Sequence, residues 1–215
     1  MLNRIGAVLL AMIFALTISS PILATTVAPT NLAKIIKYTE NGFVGTVKSV
    51  EVVQTDNGWA DKVTAEIGQN VLGTAQGGQT IVWYQARMSE KFPIAGMPKY
   101  EIGGEYLIFL AGRGRGTDFQ APYALGQGCF KVTRGADGSV SAKNENGNTN
   151  LMRGLDAKKV ADTVRARSTK AASEPTTELD SLIATAKVLA TETDPETAFA
   201  SKGDGTITGK VPATP

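Results

Sequence analysis

Phe43-Val-Gly-Thr-Val-Lys-Ser-Val-Glu-Val-Val53 is the stretch on which the fold turns. Val44, Val50 and Val52 share one parity, while Phe43, Val47 and Val53 share the other. Side chains alternate across a strand, so this β-branched run predicts a strand that buries parts of both faces. Gly45 inside it predicts a bulge or tight bend, as a small barrel requires. Upstream, Asn31-Leu-Ala-Lys-Ile-Ile-Lys-Tyr38 has Leu32, Ile35 and Ile36 at helical spacing. Asn31 is its N-cap candidate, and Asn41-Gly42 is the expected helix stop.

Downstream, Asp56-Asn57-Gly58 signals a turn into a strand at 62–67. There Val63, Ala65 and Ile67 point inward and Lys62, Thr64 and Glu66 outward. A third strand is expected at 79–86, with Trp83 and Tyr84 on opposite faces, and a fourth, the most apolar, at 105–110. A fifth runs through 124–133, and the Asp137-Gly138 turn returns the chain to 139–143. Behind Asp156 as a cap, Ala157, Val160, Ala161 and Val164 keep helical spacing. A further helix starting near Ser173 carries Leu179, Leu182, Ile183, Ala186 and Leu189. From about Thr193 onward Thr, Gly, Asp and Pro dominate, and the composition predicts a disordered tail.

These elements predict a mainly β fold with flanking helices: a five-stranded barrel of the oligonucleotide/oligosaccharide-binding (OB) type plus C-terminal helices. An open sandwich satisfies the same periodicity. The expected organisation is a signal peptide at 1–24, a β-barrel domain at 25–150, a helical segment at 151–192 and a tail at 193–215. The signal reading rests on Arg4, the apolar stretch from Ala7 to Ile18, and Ala24 at the cut. It predicts a periplasmic or secreted protein with no membrane association after cleavage.

Composition excludes much chemistry. The 215 residues include one cysteine, Cys129, and no histidine. Nucleophilic pairs that use histidine are therefore absent, and a zinc site would have to rest on carboxylates. No internal disulfide can form, although an oxidising compartment permits one. Cys129, between Gly128 and Phe130 in an apolar strand, reads as a small buried hydrophobe. A net charge of +2, or +1 once Arg4 leaves with the signal, gives no reason to expect a nucleic-acid partner. The sequence calls for no cofactor and no metal. Asp137 and the Asn144-Glu-Asn-Gly-Asn148 loop lack the spacing of a calcium loop.

The quoted strand, Val63-Thr-Ala-Glu-Ile67, Tyr100-Glu-Ile-Gly-Gly-Glu-Tyr-Leu-Ile-Phe-Leu110 and Gly126-Gln-Gly-Cys-Phe-Lys-Val132 follow one another in an order with a known counterpart. Over roughly residues 31–133 the chain resembles bacterial relatives of the netrin-like and tissue-inhibitor-of-metalloproteinase (TIMP) domains, which are OB barrels. The resemblance implies a non-catalytic extracytoplasmic binding module. TIMP inhibition depends on an N-terminal cysteine that chelates the protease's zinc. No cysteine lies near Thr25, so that mechanism does not transfer.

The expected function is therefore binding of a protein partner, a secreted protease or another envelope protein, through barrel-rim loops. The long 87–104 connection, with Pro93 and Pro98, is the candidate rim. Its candidate residues are Arg87, Lys91 and Tyr100, joined by Trp59 after the first hairpin and by Arg113 and Arg115 in the glycine-rich 112–116 loop. Two alternatives are a carboxylate-only enzyme acting on envelope glycans through Glu101 and Glu105, and a structural envelope protein.

Overall fold

The computed structural model describes residues 28–171 and 177–200. The signal segment, the helix start near Ser173 and the tail at 201–215 lie outside the described residues. The short helix α1 (Leu32–Lys37) begins at Asn31, whose Oδ1 accepts the Lys34 N–H at 2.8 Å. It then runs almost directly into β1 (Thr39–Thr55), which is longer than expected. Asn41-Gly42 does not stop the helix. Tyr38 caps it, and Asn41 and Gly42 pair with β4 and β2 inside the sheet.

The strands β1, β2 (Gly58–Leu72), β3 (Thr80–Ala86), β4 (Glu105–Ala111), β5 (Cys129–Arg134) and β6 (Val140–Lys143) form one antiparallel sheet. Their order is β3-β2-β1-β4-β5-β6. In place of the expected five-stranded OB-type barrel there are six strands in one open sheet, which is not closed. The sixth is the return strand of the Asp137-Gly138 hairpin, which pairs with β5 over four residues. The fifth strand starts at Cys129, not at Ala124. Residues Leu125–Gly128 form a 3₁₀ turn entered through Ala124 and Leu125, both left-handed at φ 54° and 58°.

Register shifts explain how β1 serves both faces. One falls between Val44 and Gly45, at the expected bulge. There a side chain at Gly45 would press within 2.8 Å of the Glu66 carbonyl oxygen. Another leaves Lys48 unpaired between Val47 and Ser49. Such an extra residue flips the alternation. Val47 and Val50 therefore pack on the same face despite opposite parity, while Val44 packs on the other.

The two faces carry separate cores. On one, Phe43, Val47, Val63, Ala65, Ile67, Trp83, Tyr106, Ile108, Leu110 and Cys129 cluster. On the other, Val44, Leu107, Phe109, Phe130 and Val132 meet α1 and the C-terminal helices α2 (Ala157–Ala171), α3 (Glu178–Ala190) and α4 (Pro195–Ala198). The expected tail is corrected over its first residues. Pro195–Ala198 is helical, Phe199 is buried, and Ala200 bridges to Leu155. Apolar burial of Phe199 outweighs the polar composition around it. No helix among the described residues is long and apolar enough to cross a membrane.

Candidate functional site

The 87–104 connection is built on an ion pair. Asp61 continues the core-facing row of Val63, Ala65 and Ile67, and Arg87 follows the last residue of β3. Their side chains meet at 2.6 Å, each only 11% exposed. The Arg87 guanidinium also donates to the carbonyls of Ser89 at 3.2 Å and Glu90 at 3.0 Å. The Met88 and Ser89 N–H groups donate to the Phe92 carbonyl, and Arg87 bridges to Pro93. Residues 87–93 therefore form a small closed hairpin pinned from beneath by Arg87. On it Met88 is 74% exposed and Phe92 65%.

Beyond the hairpin, residues 93–100 fold back over the sheet as a strap. Gln85, fully buried, donates its Nε2 to the Pro98 carbonyl at 3.1 Å. The Gly126 N–H donates to the Gly96 carbonyl at 2.9 Å, and Leu125 packs on Gly96. Between strap and sheet lies a groove of about 620 Å³, lined by Val50, Pro93, Ile94, Met97 and Tyr100, with Asp61 and Arg87 at its edge. Tyr100 inserts its ring edge-on between Trp83 and Tyr106, at 5.5 Å from each. Burial holds its phenol well above the ordinary pKa.

The candidate residues divide accordingly. Arg87, Lys91 and Tyr100 belong to one continuous hairpin and strap. Trp59 joins them through the backbone, its carbonyl accepting the Arg87 N–H at 2.8 Å; it sits half-buried near the start of β2. Arg87 is a scaffold residue, since its donors are spent on Asp61 and the turn carbonyls. Lys91 is exposed at the hairpin tip. Arg113 and Arg115 are exposed in a different loop and do not line the groove; Arg113 faces Asp118 at 3.6 Å.

Met88 and Phe92 escaped the sequence reading because neither belongs to a periodic run. The available signal was two large apolar residues flanking the polar Ser89-Glu90-Lys91 inside a connection. Asp61 was missed as well; its available signal was a carboxylate on the core-facing parity of β2, where a charge is rarely buried unless paired.

The other chemistry considered is engaged in structure. Glu101 meets Lys131 at 2.6 Å, and Glu105 accepts two hydrogen bonds from Arg134 at 2.9 and 2.7 Å. Cys129 is buried, and burial pushes its thiol up to about 12. The Asn144 Oδ1 accepts the N–H groups of Asn146 and Asn148, and its amide donates to the Gln127 carbonyl. That loop is thus tied together by its own asparagines. Among the described residues no three acidic, cysteine or histidine side chains are grouped to hold a metal. Comparison with protein-family models, with curated proteins and with solved structures finds no match to this chain.

Proposed function

We propose that this chain is a non-catalytic exported binding module that engages a protein partner, a secreted protease or another envelope protein, through the 87–104 connection. The observation that carries the reading is the hairpin at 87–93. It exposes Met88 and Phe92 while Arg87 and Asp61 hold its backbone in one shape. Presenting apolar side chains on a pre-ordered turn lowers the entropy lost on binding, and Phe and Met are enriched at interface cores. The adjoining apolar groove extends that surface. Glu101 and Glu105, each bound to a cation, do not favour the glycan-enzyme alternative.

The finer fold reading belongs to the same proposal: the sheet is rolled as in OB domains. In support, residues 119–123 link edge strand β3 to β4, from which β2 and β1 separate it in the sheet order. Phe119 bridges Tyr84 of β3 in parallel, the Gln120 N–H donates to the Tyr84 carbonyl at 2.9 Å, and Pro122 bridges Leu110 of β4. This arrangement is compatible with the netrin-like and TIMP-like resemblance of the sequence.

The test is crosslinking in the native envelope with wild-type protein and a Met88→Ser/Phe92→Ser variant. Exposed substitutions change stability by about 0.5 kcal/mol or less, so the variant keeps its fold. Loss of the crosslinked partner with an unchanged melting curve is the expected result. The same partners at the same yield would remove the hairpin as the site.

A further inference from the structure

On the other side of the strap, three basic side chains crowd one pocket. Lys131 of β5 is paired directly with Tyr106 of β4 on one side and with Lys143 of β6 on the other. Directly paired residues share a face, so two lysine side chains leave neighbouring strands on the same side, a like-charge pairing that disfavours a sheet. Lys99 from the strap borders the same pocket, whose volume is about 330 Å³ and whose wall includes Cys129 and Thr133.

Lys131 is answered by Glu101, whereas Lys99 and Lys143 enter no ion pair among the described residues. Glu145 is the other carboxylate at the pocket, so three lysines face two glutamates and positive charge is in excess. The Tyr106 hydroxyl accepts the Glu101 N–H at 2.9 Å and keeps its own proton to donate. The buried Cys129 thiol stays neutral at physiological pH and adds no negative charge. A broken pairing rule at a concave, donor-rich place marks a site that a ligand completes.

We propose that this pocket binds a small oxyanion, a carboxylate or phosphate group, held by Lys99 and Lys143 with Lys131 and the Tyr106 hydroxyl beside it. Its volume suits a small molecule. The proposal is independent of the hairpin and its partner.

The experiment titrates the full chain with inorganic phosphate and with citrate, against sodium chloride at matched ionic strength, and follows amide NMR signals. Saturable shifts at Lys99, at residues 129–133 and at Lys143 are expected with one or both oxyanions and not with chloride. Which oxyanion saturates identifies the group. Lys143→Glu places an opposite charge beside Lys131; it should weaken binding roughly tenfold or more and raise the melting temperature of the ligand-free protein. Shifts that merely track the chloride control, or a Lys143→Glu protein that titrates like the wild type, overturn the site. Should that variant fail to fold, Lys99→Gln supplies the same comparison.

Discussion

Tyr100 carries a hydroxyl into the core that finds no hydrogen-bond partner among the described residues, although Cys129 and Trp83 are its polar neighbours. Trp83 Nε1 likewise has no partner among the described residues. Burying such a group costs free energy, and removing it without changing the ring's shape returns that cost. Tyr100→Phe should therefore stabilise the protein by about 1 kcal/mol in urea unfolding. Tyr100 and Cys129 also contribute to alkaline behaviour, together with the partly buried Tyr106. Burial raises the pKa of both Tyr100 and Cys129, so the folded state holds their protons more tightly than the unfolded chain. Their contribution is complete below the ordinary thiol value of 9.0 and phenol value of 10.0, and is lost as pH rises through the raised values. Stability should fall above pH 9 toward about 12, and Tyr100→Phe should make that decline shallower. An alkaline limb identical in wild type and variant would contradict the assignment.

At the scale of elements, the hairpin at 87–93 depends on one buried ion pair. Asp61→Ala leaves Arg87 buried without its counter-charge, a loss that typically costs about 3–5 kcal/mol. The expected result is a lower urea midpoint together with faster amide exchange at Met88 and Ser89, whose N–H groups close the turn. A variant with the wild-type midpoint would show that Arg87 finds other partners. Element-scale rules were legible in part. Asn31 caps α1 and Gly45 marks a register shift, as their types require. The Lys48 bulge was not legible, because no residue type announces it. It moves Val50 onto the face of Val47, and Val52, which shares the parity of Val50, ends 44% exposed near the end of a long hairpin.

For the whole molecule, the helix-bearing face decides whether the sheet can stand alone. Leu107, Phe109, Phe130 and Ala142 are fully buried in the cluster completed by Leu179, Ile183, Leu189 and Phe199. A chain ending at residue 170 lacks α3, α4 and Phe199, and exposes this face to water. It should lose its cooperative melting transition and aggregate in light scattering. Phe199→Ala in the full chain should cost about 3–5 kcal/mol, the range for emptying a buried phenylalanine site. A truncated chain that melts cooperatively as a monomer would show that the sheet's other core suffices.

By itself the sequence determined the strand-rich class, the approximate place of each strand along the chain and the Asp137-Gly138 hairpin, and its apolar flanks pointed to a buried Cys129. Each follows from local pattern: β-branched alternation, turn residues and apolar flanks act over a few neighbours. It also determined the absence of histidine chemistry and of an internal disulfide, which are matters of count. Only the tertiary structure decided that Arg87 is spent on Asp61, that Met88 and Phe92 stand exposed, and that Lys131 faces Lys143. Those facts depend on strand register and on contacts between residues far apart in the chain. Periodicity along one strand carries no information about which residue lies opposite on the next.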